Sequence, residues 1–133
     1  MNNPSSITAK LLDRLAKEQY CYLTTTGRIS GNPHEIEIWF GLNEHTLYLL
    51  SGGGDQSDWV KNLLKKPAVK VRIAKKNLIG TARLVTDRQE EMVARKMLAS
   101  KYQQWRVGRT FSHWAQTALV VGIDLDSLAN KKG

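Results

Sequence analysis

A short glycine-containing turn near the start of the chain carries the side chains best suited to bind an anion. A run of three threonines ends at Gly27, and Arg28, Ser30 and Gly31 follow before an alternating stretch begins at Glu35. Guanidinium, hydroxyl and free backbone amide groups are the donors that an anionic ligand needs. The same composition is also typical of an ordinary hairpin turn with one solvated arginine, and the turn alone does not separate these two interpretations.

A second glycine-rich segment, Ser51–Gly54, precedes a predicted helix that begins near Asp58 and ends before Pro67. The first amides of a helix have no partner within that helix, so this junction can accept a phosphate or the polar edge of a ring. Lys70 and Arg72 share one face of the next predicted strand. They either supply positive charge to a ligand or form a solvated face, and the sequence leaves both interpretations open.

Several other chemistries lack the residue patterns that they require. The three histidines, His34, His45 and His113, stand far apart without HxH or HExxH spacing, so no metal site is predicted. The chain has no Walker motif, no dinucleotide-binding glycine motif and no serine in a nucleophile elbow. Cys21 is the single cysteine, which excludes an internal disulfide, and we expect it to be packed in a strand rather than reactive.

The charge of the chain is concentrated in its middle. The net charge is +8, but residues 1–60 hold four basic and seven acidic side chains, whereas residues 61–109 hold fourteen basic and three acidic ones. Such a block indicates an anionic partner, which can be a nucleic acid, a phosphorylated cofactor or an anionic membrane. Basic and aromatic residues are not interleaved as in an RNA-binding strand motif, so no nucleic-acid partner is predicted.

The length and composition predict one domain over residues 1–133, large enough to form a core without disulfides. A helix is predicted within residues 1–18, capped by Ser5 or Ser6, and a loose tail is predicted at residues 124–133. No apolar run approaches the ~20 residues of a membrane span, and the first residues do not resemble a signal peptide. A cytoplasmic location is therefore expected, with at most peripheral membrane contact through the N-terminal helix.

Alternating and β-branched segments predict six strands, mostly antiparallel, with helices at their edges. Ile36 and Ile38 in the second strand, and Val69, Val71 and Ile73 in the fourth, are expected to face inward. This pattern is typical of a small barrel with α+β character. The strands are predicted at residues 20–26, 34–42, 46–50, 68–73, 78–85 and 118–123, and the principal helices after the first at residues 58–65 and 88–101.

Three segments together resemble the deazaflavin-dependent nitroreductase family, part of the split β-barrel flavin-binding group that includes the pyridoxamine phosphate oxidases. They are TTTGRISGNPHEIEIWF, TLYLLSGGGDQSDWVKNLLKKPAVKVRI and GTARLV, and the similarity covers about residues 22–123. The resemblance implies a six-stranded split β-barrel that forms a homodimer. It also implies binding of the deazaflavin coenzyme F-420, whose reduced form passes a hydride to a small nitro, quinone or enone substrate.

The resemblance further implies where the coenzyme binds. The first turn would lie near the phosphate arm of the coenzyme, and the glycine loop with its helix would surround the deazaflavin. Tyr102, His113 or a bound water would donate a proton to the substrate. The implied cofactor-binding residues are Thr26, Gly27, Arg28, Ser30, Gly31, Ser51, Gly52, Gly53, Trp59, Asn62, Lys70 and Arg72.

Two other interpretations give the same residues a different function. The barrel can bind FMN as an oxidase or flavin reductase, or it can be a non-enzymatic protein that binds a cofactor or another polyanion. The chain also differs from many relatives in carrying Ile29 where they have Lys or Arg, and in carrying Glu37 within the second strand. The absorbance of the purified protein mixed with each cofactor distinguishes the interpretations.

Overall fold

The computed structural model describes residues 6–129 and shows seven antiparallel strands, with helices at their edges. The sheet order is β2-β1-β5-β6-β7-β4-β3. This is the expected α+β architecture with one strand more than predicted. The elements in chain order are α1 (Ala9–Leu15), β1 (Cys21–Thr26), β2 (Pro33–Ile38), β3 (Gly41–Asn43), β4 (Thr46–Ser51), a 3-10 turn (Gly54–Gln56), α2 (Asp58–Lys65), β5 (Ala68–Ile73), β6 (Lys76–Leu84), α3 (Arg88–Gln103), α4 (His113–Thr117) and β7 (Leu119–Leu128).

The extra strand arises because the predicted strand 34–42 is divided at Trp39 and Phe40. Its two parts, β2 and β3, lie at opposite edges of the sheet. The edges of a flat seven-stranded sheet would be roughly 29 Å apart, whereas this connection spans roughly 10 Å at most. The sheet must therefore curl into a barrel. The strand breaks here because the Phe40 amide donates to the hydroxyl of Tyr102 (3.0 Å) instead of to a neighbouring strand.

The barrel interior holds the main hydrophobic core. Val69, Val71 and Ile73 are buried, and Ile36 and Ile38 are partly buried against the same core, which confirms their predicted inward orientation. Fully burying an aliphatic side chain of this size contributes roughly 1.5–3 kcal/mol, so these strands supply much of the driving force for folding.

Cys21 is also part of this core, as the sequence predicted. It is completely buried at the start of β1. Burial raises the pKa of the Cys21 thiol to about 12, with the nearby Lys101 acting in the opposite direction. The thiol is therefore protonated at neutral pH and behaves as a small apolar side chain.

Helix α1 is shorter than the predicted helix and begins later. Thr8, not Ser6, is the N-cap residue, because its extended backbone directly precedes the first turn and its hydroxyl accepts from the Leu11 amide (3.1 Å). Ser5 lies outside the described residues. The helix packs on the barrel through Leu12 and Leu15, which are buried.

The predicted loose tail is wrong for residues 124–128, which belong to β7. This strand pairs with β6 over residues 121–128, and Asp124 accepts from the hydroxyl of Thr46 (3.1 Å) and from the guanidinium of Arg83 (2.7 Å). Asp126 also accepts from the hydroxyl of Thr81 in β6 (3.5 Å), so both acidic residues of this segment are bound to the sheet. Residues 130–133 lie outside the described part of the chain.

A polar network on the outer face joins β4, β6, β7 and α3. Arg83 donates to Glu90 (2.7 and 3.0 Å) and to Asp124, and Tyr48 donates to Glu90 (2.5 Å). The hydrogen bonds from Arg83 hold the pKa of Glu90 and the pKa of Asp124 below their usual values. Burial and the contact with Glu90 raise the pKa of Tyr48 to about 12.

Acid should weaken this network. Because the carboxyl pKa values are depressed in the folded protein, their stabilisation is complete above the unfolded pKa of about 4 and is lost as the pH falls through the folded values. Arg83→Gln should therefore flatten the acid side of the stability profile, as measured by urea unfolding between pH 3 and 7. Arg88→Gln is the control, and equal slopes for all three proteins would contradict the prediction.

Gly80 is required where β6 passes β7. It lies at a register shift, and a Cβ there would meet the Asp124 carbonyl oxygen at 2.7 Å and Ile123 Cγ2 at 2.8 Å. Gly80→Ala should lower the free energy of unfolding by about 1–3 kcal/mol because a backbone atom cannot move aside easily. Gly52→Ala, whose Cβ would come no closer than 3.5 Å to a neighbouring atom, should be nearly neutral in the same urea titration.

Candidate functional site

An open cleft of about 470 Å³ lies between the β1–β2 turn and helix α2. Its volume is within the range of about 300–1,000 Å³ that is usual for small-molecule sites. The structure thus brings the turn of residues 27–31 together with helix α2, which carries the predicted residues Trp59 and Asn62. The cleft is lined by Thr25, Gly27, Arg28, Ile29, Ser30, His34, Glu35, Ile36, Asp58, Trp59 and Asn62.

The side chain of Asn62 joins the turn, the helix and the sheet. It is 4% exposed. Its Oδ1 accepts from Arg28 Nη1 (2.8 Å) and from the Arg28 backbone amide (3.2 Å), while its Nδ2 donates to Thr25 Oγ1 (3.2 Å). One buried amide therefore fixes both the backbone and the guanidinium of Arg28 at the cleft.

The positive charge of Arg28 remains available to a ligand. Its side chain is 31% exposed, and its Nη2 lies 3.3 Å from Oδ1 of Asp58, whose own side chain is 86% exposed. An exposed ion pair of this kind contributes about 0–1 kcal/mol. An anionic ligand can thus replace Asp58 as the partner of Arg28 at small cost, while Asn62 keeps the guanidinium in place.

The turn itself is closed by backbone bonds and by a contact with His34. The Gly27 amide donates to the Asn32 carbonyl (2.7 Å), and Gly31 has a φ of +79°, which favours glycine. A Cβ on Gly27 would lie 2.6 Å from Ser30 Oγ and 2.8 Å from His34 Nε2. The absence of a side chain at Gly27 is therefore what lets the imidazole of His34 lie against the turn.

His34 is a cleft residue that sequence reasoning missed. As a metal ligand, His34 has the wrong spacing from the other histidines. The available signal was its position on β2, two residues before Ile36 and therefore on the same face. Ile36 and the partly buried Trp59 form the apolar part of the lining, so the cleft combines a polar end with an apolar wall.

Several predicted residues lie on the other face of the sheet. Side chains alternate along β1, so Thr25 faces the cleft and Thr26 faces outward. Thr26, Gly31 and Lys70 line a different cavity of about 520 Å³. The structure does not bring Lys70 to the cleft.

Arg72 lies on the same outer face and already has partners. Its guanidinium is 4.2 Å from the centre of the Tyr22 ring and 3.4 Å from Oε2 of Glu35 at the rim of the cleft. Part of its charge is thereby neutralised. Arg72 can contribute to the cleft only through this rim.

The predicted glycine loop supports helix α2 and does not line the cleft. Ser51 is buried, and its hydroxyl donates to the Gly54 carbonyl (2.8 Å) and lies 2.9 Å from the hydroxyl of Ser57. Ser57 is at the N-cap position of α2 but makes no capping bond. Gly52 and Gly53 are exposed, and a Cβ on Gly53 would lie 2.5 Å from Ser57 Oγ.

The two candidate proton donors, Tyr102 and His113, do not line the cleft. The hydroxyl of Tyr102 lies 3.0 Å from each of the carbonyl oxygens of Gln19 and Phe40, and burial raises its pKa to about 12. Tyr102 therefore holds the corner of the barrel. His113 is exposed at the first residue of α4.

Two features are absent from residues 6–129. No group of three or more His, Cys, Asp or Glu side chains is arranged to hold a metal ion. No helix in this part of the chain has the length and apolar character that crossing a membrane requires.

The fold is that of proteins of the split-barrel group. A Bacteroides thetaiotaomicron protein assigned to 5-nitroimidazole antibiotic resistance has a TM-score of 0.72 and 16% identity, over 93% of this chain and 83% of that one. A Listeria innocua protein assigned as a pyridoxamine 5′-phosphate oxidase has a TM-score of 0.68 and 21% identity, over 90% and 94%. An F420-H2-dependent reductase has a TM-score of 0.60 and 20% identity, over 79% and 93%.

The sequence comparison defines the family more narrowly. Residues 4–121 match the family described as F420H(2)-dependent quinone reductase, and no curated protein sequence matches the chain. The chain belongs to this family, and its cofactor is coenzyme F-420. It is therefore an F-420-dependent oxidoreductase, as the motif resemblance implied.

Removing the Asn62 amide should weaken the fold as well as the cleft. Asn62→Ala leaves the hydroxyl of Thr25 and the Arg28 donors without their partner, which should lower the free energy of unfolding by about 1–3 kcal/mol. Asn43→Ala, an exposed position in β3, is the control. Equal urea midpoints for the two variants would contradict the role assigned to Asn62.

Proposed function

We propose that the cleft between the β1–β2 turn and helix α2 binds reduced F-420 and that the protein reduces a small quinone. The observation that carries this assignment is the guanidinium of Arg28, held at the cleft by the buried amide of Asn62. The donor set fits the coenzyme: a fixed cation suits its phosphate, and the aromatic wall of Trp59 suits its ring. F-420 supplies a hydride when it is bound.

In this proposal the residues of the chain bind the coenzyme, orient it and shield its hydride from solvent. Arg28 binds the anionic arm, and the hydroxyl of Ser30 and the turn amides add neutral donors around it. Trp59 and Ile36 exclude water from the apolar part of the cleft, which protects a hydride from reaction with solvent. This arrangement requires little covalent chemistry from the side chains of the protein.

A quinone fits the requirements of such a reaction because it becomes a hydroquinone by accepting one hydride and one proton. The family description supports a quinone as the acceptor, and nitro compounds and enones accept a hydride by the same chemistry. His34 is the imidazole that lines the cleft. We assign it, or a water next to it, the delivery of the proton in place of Tyr102 and His113.

Loss of Arg28 should weaken coenzyme binding without unfolding the protein. A charge-assisted contact contributes roughly 1.5–3 kcal/mol, so Arg28→Ala should raise the Kd for F-420 by about ten- to a hundredfold. The measurement is a fluorescence titration with F-420, repeated with FMN. Arg88→Ala removes the same charge from an exposed position outside the cleft and should bind like wild type.

Three outcomes of this titration would overturn the proposal. Tight FMN binding without F-420 binding would identify a flavin oxidase or reductase instead. Binding of neither cofactor by folded protein would favour the non-enzymatic function. If Arg28→Ala and Arg88→Ala bind F-420 equally well, the coenzyme lies elsewhere, and the outer face with Lys70 and Arg72 is then the next region to test.

We further propose that the protein is a homodimer, by analogy with the split-barrel fold. The outer face of β5 and β6 is available for such contact, since Ile79 is 36% exposed there. Light scattering should give twice the monomer mass of 15.0 kDa. A measured mass of 15.0 kDa across the micromolar range would contradict this.

A further inference from the structure

A separate cavity of about 360 Å³ lies where β1 begins and β2 ends, next to the C-terminal end of α3 and to helix α4. It shares no lining residue with the cleft described above. Three aromatic side chains and one carboxylate contribute to its wall. The lining residues are Tyr20, Glu37, Ile38, Trp39, Leu50, Gln103 and Trp114.

Two indoles form a rigid corner in this cavity. The ring centroids of Trp39 and Trp114 are 5.5 Å apart, and the two ring planes are at 85° to each other. Trp39 is held in place by Tyr102, whose ring stacks on it at 4.3 Å with an interplanar angle of 1°. Tyr20, with 43% of its surface exposed, adds a third ring. The electron-rich faces of aromatic rings attract cations, and tryptophan does so most strongly.

The carboxylate of Glu37 adds a negative charge beside the aromatic corner. Its Oε1 accepts from the hydroxyl of Tyr22 (2.9 Å), and this hydrogen bond raises the pKa of Tyr22. The nearby guanidinium of Arg72 contacts Glu35. Within residues 6–129, Glu37 forms no ion pair of its own. Its charge is therefore available to a ligand.

We propose that this cavity binds an organic cation, such as a quaternary ammonium or a protonated alkylamine. Perpendicular aromatic walls and a carboxylate are the features that recognise such a group. An anion would be repelled by Glu37, and a neutral apolar molecule would gain no charge interaction with that carboxylate. The net charge of +8 keeps cations away from the protein in general, so binding here depends on the local arrangement of Trp39, Trp114 and Glu37.

Choline and its neutral isostere 3,3-dimethylbutan-1-ol provide the test. The full-length protein is titrated with each compound and followed by tryptophan fluorescence and by calorimetry. We expect wild type to bind choline with a Kd of about 1 mM or tighter and at least tenfold more tightly than the alcohol. Glu37→Gln should weaken choline binding about tenfold and leave the alcohol unchanged.

The controls separate a local charge effect from a general one. Glu44→Gln removes the same charge from an exposed turn and should bind choline like wild type. Glu37 is exposed, so its substitution should leave the thermal unfolding midpoint nearly unchanged, and F-420 binding provides a second check on folding. Equal affinity for choline and the alcohol, no choline binding by wild type, or equal choline binding by the two glutamine variants would each overturn the proposal.

Discussion

The two-residue connection between β2 and β3 is the constraint on which the structure depends. Trp39 and Phe40 join strands at opposite edges of one sheet. So short a connection can reach both edges only if the sheet curls. Curling encloses the inner faces of β1, β5, β6, β7 and β4 and creates the core. The hydroxyl of Tyr102 stabilises the corner by bonding to the amide and the carbonyl of Phe40.

The same closure decides where ligands can bind. An interior filled by side chains leaves no room for a coenzyme, and the described cavities that could hold ligands lie at the surface of the barrel. At the cleft, α2 approaches the sheet through Asn62, which replaces water as the partner of Thr25 and Arg28. A buried amide is costly if it is left unpaired, so this polar contact fixes the relative position of helix and turn.

The structure also distinguishes two roles of the arginines, ligand binding and structural ion pairing, that the sequence does not separate. Arg28 is oriented by a neutral amide and has one ion pair, with the exposed carboxylate of Asp58, which a ligand can replace. Arg83 is instead matched to two carboxylates, those of Glu90 and Asp124. Arg83 links strands to α3 and therefore serves stability. The strongly basic middle of the chain is in part a set of structural ion pairs, and its net charge overstates the charge presented to a partner.

The sequence by itself determined the strand and helix types, the inward positions of Val69, Val71 and Ile73, and the family, since local periodicity and short motifs carry that information. It could not determine that strand 34–42 breaks at Phe40, because the cause is a hydroxyl 62 residues away. It also could not place His34 in the cleft or Lys70 and the residues around Ser51 outside it. These positions depend on which strands pair, in which register and with what curl, and such long-range contacts form only in the folded protein.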